Sequence, residues 1–159
     1  MTDTARGATR IATSALPEWV GRTVGRSNWH SISQRQIDLF ADATGDHAWI
    51  HVDPERAREG PYGGTVAHGF LTLALVPALT AEAFILADGG LLINYGVNRV
   101  RFPVPLKVDS RVQLTTTLNG IEESTAGKRL LLGFSISAEG EERPTAVGET
   151  VLLLVKGSK

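Results

Sequence analysis

Two side chains that can exchange protons stand five residues apart in the segment GDHAWIHVDP, residues 45–54. At neutral pH an aspartate carboxylate is ordinarily a base, whereas a histidine imidazole can take up and release a proton. Held around one water molecule, Asp46 and His51 can activate it and return a proton to another position on a substrate. We expect Trp49 and Ile50, which lie between them, to exclude bulk solvent and to fix the loop.

A second segment, Ala67-His68-Gly69-Phe70, stands directly before a long apolar run. The first backbone N–H groups of a helix have no internal acceptor and carry a partial positive charge. A glycine at this point lets a ligand oxygen approach the backbone closely. If a helix begins at Gly69, its N–H can therefore polarise a carbonyl group, as the donors of an oxyanion hole do.

Helices are predicted on both sides of the first segment. Ser33 and Gln36 have the spacing of a capping box at the start of a helix, and Gly45 suits its C-terminal end. Asp53-Pro54 begins a short second helix, with a cap followed by a proline in the first turn. Because these signals bracket residues 46–52, we expect those residues to be non-helical.

The rest of the chain predicts one apolar helix and a long antiparallel sheet. Residues 69–84 are apolar nearly all round, so a helix there must be enclosed on most sides. Apolar and polar residues alternate over 112–118, 130–137 and 147–155, and residues 91–102 add a strand that we expect to be irregular at Gly96. The prediction is an α+β fold in which the sheet wraps the helix, with a loose arm over residues 1–15 and a single domain over 16–159.

Composition excludes several classes of partner. The formal net charge of −1 favours neither nucleic acid nor an anionic membrane, and the absence of cysteine excludes disulfides and a thiol nucleophile. The N-terminal residues are polar and lack the apolar core of a signal peptide, while Pro77 and Glu82 interrupt the longest apolar stretch. We expect a cytoplasmic protein that does not span a membrane.

The run FADATGDHAWIHVDPERA, followed by AHGFLTLAL, resembles the MaoC-like dehydratases, the (R)-specific enoyl-CoA hydratases of hot-dog fold. The resemblance covers roughly residues 17–156 and is densest from Phe40 to Leu75. The family signature runs aromatic, small residue, Gly-Asp, any residue, Asn-Pro, aliphatic, His. This chain departs from it at Ala48-Trp49, which replaces Asn-Pro while the spacing from aspartate to histidine is kept.

The resemblance implies reversible addition of water to a trans-2-enoyl thioester, giving an (R)-3-hydroxyacyl thioester. It implies that Asp46 and His51 are the catalytic pair and that the N–H of Gly69 polarises the thioester carbonyl. His68 is expected to hydrogen-bond substrate or to pin the loop, and Tyr62 and Gly64 to line the path of the acyl chain. No cofactor is expected, because the coenzyme A thioester is itself the substrate.

No metal is expected either. His47 lies four residues before His51, a spacing that can share a metal on a helix, but the segment between Gly45 and Asp53 is predicted to be non-helical. The expected partners are an acyl-CoA or acyl-carrier-protein thioester and a second copy of the chain, since a helix this apolar favours a second subunit. Two alternatives stay open, an acyl-CoA thioesterase of the same fold and a non-catalytic subunit that binds acyl thioesters.

Overall fold

The computed structural model describes residues 7–155 and confirms the predicted α+β architecture. The strands are β1 Thr9–Ile11, β2 Thr23–Arg26, β3 His30–Ser31, β4 Phe84–Leu86, β5 Leu92–Arg101, β6 Arg111–Ser124, β7 Gly127–Ala138 and β8 Ala146–Val155. The α-helices are α1 Gln34–Thr44, α2 Trp49–Val52, α3 Pro54–Arg58, α4 Gly69–Ala74 and α5 Val76–Ala83, and a 3-10 helix spans Thr13–Trp19.

The main sheet is antiparallel, as the alternating segments predict. Its strands follow the order β2-β6-β7-β8-β5, and β3 pairs with β6 beside β2. The ladder between β5 and β8 shifts register between Asn94 and Gly96, which confirms the predicted irregularity. A second shift lies between Asn98 and Arg101, where Arg99 has a φ of 52°. β5 is therefore a bent strand at one end of the sheet order.

The helix before the candidate catalytic loop has the predicted ends. The Ser33 hydroxyl accepts a hydrogen bond from the N–H of Gln36, and the Gln36 side chain accepts one from the N–H of Ser33, which closes the capping box. At the other end Gly45 has a φ of 78° and donates to the carbonyl of Ala41. Because Ile37 and Ala41 are fully buried, α1 is held against the core up to the residue that precedes Asp46.

The expectation that residues 46–52 contain no helix is wrong. After Gly45 ends α1, the chain makes one new helical turn, α2, whose bonds run from the N–H of His51 to Ala48 and from the N–H of Asp53 to Trp49. Asp53 then caps the predicted second helix, α3, by accepting from the N–H of Arg56 at 3.0 Å. The signals at Gly45 and Asp53 mark the ends of neighbouring helices and leave room for a single turn between them.

The apolar run is two short helices and a strand instead of one long helix. Pro77 stands in the first turn of α5 and lacks the N–H that would donate back into α4. The helical part ends at Ala83, and residues 84–86 form β4. One face is buried in the core through Leu71, Val76 and Leu79, but Phe70 on α4 is 70% exposed. The sheet therefore covers the core-facing side of these helices, and most residues of 69–84 are buried or half-buried, while an exposed face remains at Phe70, Ala74, Pro77, Ala78 and Ala81.

Part of the expected loose arm is ordered. Within residues 1–15, Thr9–Ile11 pairs in parallel with Phe84–Leu86, and Ile11 is only 2% exposed. The pairing arises because Ile11 and Leu16 fill a second core cluster together with Phe84 and Leu86. Residues 1–6 lie outside the described residues, and the domain boundary at residue 16 stays a prediction. Among residues 7–155 no helix is long and apolar enough to cross a bilayer.

The capping box predicts a measurable effect on stability. Replacing Ser33 with alanine leaves an N–H at the start of α1 without its acceptor, so the free energy of unfolding should fall by about 1 kcal/mol. Urea unfolding of S33A against the wild type measures this difference. T125A, in the exposed turn between β6 and β7, is the control and should stay near the wild type. Equal stability of S33A and T125A would contradict a stabilising cap.

Candidate active site

Asp46, His51 and His68 come together where the loop after α1 meets the loop before α4. Each offers one nitrogen or oxygen atom that lies within 4.8 Å of those of the other two. Two hydrogen bonds of about 2.8 Å to one water oxygen give separations of this size. His51 and His68 are buried, at 9% and 3% exposure, whereas the Asp46 side chain is 58% exposed. The cluster thus joins two buried imidazoles to a carboxylate that is open to solvent.

The hydrogen bond of His51 settles which of its ring nitrogens carries the proton. Nδ1 lies 2.6 Å from the backbone oxygen of Val66. A carbonyl oxygen can only accept, so Nδ1 is the donor. In the neutral ring Nε2 is then unprotonated and keeps its lone pair. His51 is thereby oriented and left with one basic nitrogen.

His68 holds the backbone of the loop that carries Asp46. Its Nε2 donates to the carbonyl oxygen of Asp46 at 2.9 Å, and it lies 4.0 Å from the Asp46 carboxylate. The ring stacks on that of His51 with centroids 3.7 Å apart and contacts Phe40 at 5.0 Å. Its Nδ1 is buried and has no hydrogen-bond partner within the described residues. These contacts favour pinning of the loop, the second of the two roles expected for His68.

Gln34 is a positioning residue that the sequence pattern did not reveal. Its side-chain amide donates to the backbone oxygen of His51 at 2.7 Å and to Asp38 at 2.8 Å, and its oxygen accepts from the hydroxyl of Thr65. One side chain in the first turn of α1 therefore ties the end of α2 to the loop before α4. No short motif marks this glutamine, because its three partners are distant in sequence or on its own helix.

Gly69 begins α4, as predicted, and the N–H of this first residue donates to no acceptor in the part of the chain that the structure describes. The structure gives this glycine a packing reason that sequence analysis did not foresee. A Cβ built on Gly69 would lie 2.8 Å from the ring of Phe102. The helix start and the Phe102 ring are therefore in direct contact, and a larger residue at position 69 would displace the ring.

Tyr62 and Gly64 lie in the loop between α3 and α4. Tyr62 is 36% exposed, and within residues 7–155 it makes no hydrogen bond or ring contact with Asp46, His51 or His68. The expectation that these two residues line the acyl path stays a prediction.

The replacement of Asn-Pro by Ala48-Trp49 has a structural account. Trp49 is the first residue of α2, a position that also tolerates proline. Its ring packs against Gly60 and lies 4.5 Å from the guanidinium of Arg56, so it braces the turn to α3. Ala48 offers no capping side chain, but its N–H donates to the Asp46 carboxylate at 3.4 Å. The loop thus keeps its shape through Trp49 and Gln34.

A metal ion fits this cluster poorly, although the residue types and distances would allow one. His51 Nδ1 and His68 Nε2 are already bound to carbonyl oxygens. His47, the other residue considered as a ligand, bonds to Asp42 at 3.0 Å, and this bond raises the pKa of its imidazole.

An apolar groove lies along α5 and reaches β4. Its main part encloses about 320 Å³, within the range of roughly 300–1,000 Å³ typical of small-molecule sites. The groove is lined by α5, β4, the turn at Gly89-Gly90 and the facing strands: Val76, Pro77, Thr80, Ala81, Phe84, Ile85, Leu86, Gly89, Gly90, Leu92, Asn94, Thr150 and Leu152. An adjoining cavity shares Val76 and Pro77 and reaches Leu73. Leu73 lies four residues after Gly69, about 6 Å along the helix.

The chain is similar to known proteins over most of its length. Residues 16–133 match the model of the protein family described as "MaoC like domain". The 3-hydroxyacyl-thioester dehydratase Z of Mycobacterium tuberculosis is 48% identical over 136 residues, which cover 85% of this chain and 90% of that protein.

Two solved structures share the fold. The unliganded R-hydratase PhaJ1 of Pseudomonas aeruginosa has a TM-score of 0.68 at 24% identity, covering 84% of this chain and 82% of that one. The truncated 3R-hydroxyacyl-ACP dehydratase complex HadBC of Mycobacterium tuberculosis has a TM-score of 0.66 at 14% identity, covering 81% and 93%. The match of the family over residues 16–133 and the identity to a dehydratase show that this chain belongs to the MaoC-like dehydratase family, hydro-lyases of hot-dog fold.

Proposed function

We propose that the protein adds water reversibly to a trans-2-enoyl thioester and forms the (R)-3-hydroxyacyl thioester. The observation that carries the proposal is the convergence of the Asp46 carboxylate and the His51 imidazole beside the first residue of α4. The name of the relative from Mycobacterium tuberculosis, which specifies a 3-hydroxyacyl thioester, supports this class of substrate.

The two side chains have complementary tasks in this reaction. The Asp46 carboxylate, at the mouth of the site, accepts a hydrogen bond from the attacking water and orients it. His51 Nε2, which has a lone pair because Nδ1 donates to Val66, takes a proton from that water. The water oxygen then bonds to C3, the double bond between C2 and C3 becomes single, and the proton passes from the pair to C2. In the reverse direction the same atoms release water.

The N–H of Gly69 polarises the thioester carbonyl in this proposal. It has no acceptor in residues 7–155 and stands beside His68, whose ring stacks on that of His51. A hydrogen bond to the acyl oxygen draws charge from C3, so that water can attack it, and stabilises the enolate that forms. The amide can act in this way because its partial positive charge at the helix start is fixed before substrate binds.

The acyl chain occupies the apolar groove. The adjoining cavity begins at Leu73, about one helical turn after Gly69, and the groove continues along α5 to β4. An alkyl chain in this groove exchanges contact with water for contact with apolar side chains, at about 0.8 kcal/mol per methylene. A thioester held at Gly69 therefore gains affinity as its chain lengthens, up to the end of the groove.

Replacing the two proposed catalytic side chains tests the proposal. D46N and H51Q should each lower kcat/KM for crotonyl-CoA by about 10²–10⁴-fold, because D46N replaces the charged carboxylate with a neutral amide and H51Q removes the nitrogen that takes the proton. Loss of the enoyl thioester absorbance measures the rate. H47Q, in the same loop but bonded to Asp42, is the matched control and should retain the wild-type rate.

The outcomes separate the proposal from its two rivals. Near wild-type kcat/KM in both D46N and H51Q would show that the pair is wrongly assigned. Release of free thiol, followed with a disulfide dye, without hydration would identify a thioesterase. Binding of acyl-CoA with no turnover would identify a non-catalytic subunit.

A bulky side chain in the groove should reduce the activity on long acyl chains and leave the activity on short ones. Ala81 lines the groove and is exposed, so A81F should fill it without disturbing the core. Losing contact for two methylenes lowers kcat/KM for 2-dodecenoyl-CoA by about tenfold, while crotonyl-CoA should react as before. A78F, on an exposed part of α5 outside the groove, is the control. If A81F lowers kcat/KM for both substrates, or for neither, the acyl chain does not lie in this groove.

We further propose that the protein forms a homodimer through β5. This long strand ends the sheet order and leaves Ile93, Tyr95 and Val97 between 43% and 59% exposed. An open edge with apolar side chains is suited to pairing with another strand. The structure of HadBC is described as a complex, so pairing with a different chain is the alternative that the measurement must separate.

A charge on β5 should break this dimer. I93K places a lysine on the edge strand, where the side chain of Ile93 is 43% exposed, and it should convert a dimer of about twice the chain mass into a monomer. Light scattering after size exclusion measures the mass. L39K changes a leucine on α1 that is 56% exposed, and this variant should stay dimeric. A monomeric wild type would contradict the homodimer and favour a different partner.

A further inference from the structure

One end of the groove is lined by β4 and by the turn that follows it. All three residues of β4, Phe84, Ile85 and Leu86, line the groove, and so do Gly89 and Gly90. The φ angles of 75° and 133° at these glycines belong to the left-handed region that favours glycine, so they allow the turn to close over the groove. In the proposed function the acyl chain runs toward β4, so the position of β4 would set how long a chain the groove can hold.

β4 is held in place by fewer strand contacts than the other strands of the groove wall. It lies outside the main sheet, and within residues 7–155 its one strand partner is β1. The two strands pair over three residues, and the N–H of Ala87 continues the ladder by donating to the carbonyl of Ile11 at 2.9 Å. Short elements with few neighbours open at a lower free energy than central strands. The facing strands β5 and β8, in contrast, pair along most of their length.

A polar contact holds the turn beyond β4. The N–H of Thr13 lies 3.1 Å from both carboxylate oxygens of Asp88, and the Thr13 hydroxyl donates to one of them at 2.8 Å. The hydrogen bond from the Thr13 hydroxyl lowers the pKa of Asp88 because it stabilises the charged carboxylate. Ile11, two residues before Thr13, packs in one core cluster with Phe84 and Leu86. Residues 9–13 thus contact both β4 and the start of the turn that follows it.

We propose that residues 9–13 are a clasp that fixes the closed end of the groove and so limits the length of the acyl chain. The inference rests on the proposed function, because it takes an acyl thioester as the ligand. No residue of the clasp lines the main groove, so these are positioning residues that act through β4. They also precede residue 16, where the match to the family begins, so the device is additional to the matched domain. Opening the clasp lets β4 move outward and lengthens the groove.

The test breaks the clasp at two independent points. D88A removes the acceptor of Thr13 at an exposed position, so folding is not at risk. I11A weakens the packing of β1 against β4. E141A, which removes an exposed acid in the turn between β7 and β8, is the control. For each variant, kcat and KM are measured with enoyl-CoAs of 4 to 16 carbons, and hydrogen exchange is followed at the amides of residues 84–86.

The clasp predicts a change in KM that depends on chain length. The ratio of kcat/KM for the longest chain to kcat/KM for crotonyl-CoA should rise by at least about fourfold in D88A and I11A. This is the effect of burying one more methylene. The rise should come from a lower KM for the longest chain. Activity on crotonyl-CoA and the values for E141A should not change. Exchange at residues 84–86 should accelerate in the two clasp variants. An unchanged ratio, whether or not exchange accelerates, would overturn the clasp.

Binding measurements distinguish a failure of the proposed hydratase function from a failure of the clasp. Saturated acyl-CoAs of the same lengths are titrated by calorimetry against the wild type and both variants. A shift toward longer chains without any hydration would support the clasp and refute the hydratase. Hydration with the same chain-length profile in every variant would support the hydratase and refute the clasp.

Discussion

The site depends on two buried histidines that each give one N–H to a backbone carbonyl. His51 Nδ1 donates to Val66, and His68 Nε2 donates to Asp46. A buried imidazole N–H without an acceptor would cost free energy, so both bonds are favoured. They also leave His51 with one unprotonated nitrogen and fix the backbone that carries the Asp46 carboxylate. The convergence of base and carboxylate follows from these two bonds.

Those bonds join parts of the chain that lie far apart in sequence. Asp46 and His68 are 22 residues apart, and His51 and Val66 are 15 apart. Gln34 adds a third connection by binding the carbonyl of His51 and accepting from Thr65. Because α1 is capped at Ser33 and buried at Ile37, the network is anchored in the core and not only in loops. The replacement of Asn-Pro by Ala48-Trp49 is tolerated because this network, with Trp49 against Gly60, holds α2.

The apolar groove arises from the way in which the apolar run is divided. Pro77 breaks the apolar run into α4 and α5, and the polypeptide leaves the helical path at Phe84 to form β4. The helices supply one wall, β5 and β8 supply the other, and β4 closes the end. The same apolar residues that made the run look like one enclosed helix are divided between core packing and the lining of the groove. Phe84 and Leu86 serve both purposes.

The sequence by itself determined the features that depend on neighbouring residues. The capping box at Ser33, the stop at Gly45, the cap at Asp53 and the alternating strands are local, because a helix end or a strand face is specified within a few residues. The spacing of Asp46 and His51 and the start of a helix at Gly69 belong to the same class. Tertiary structure decided which atoms are free to act, since the proton on His51 depends on the distant carbonyl of Val66. It also decided the turn of α2, the role of Gln34 and the pairing of β1 with β4. These arise from contacts between residues distant along the chain, which no local pattern records.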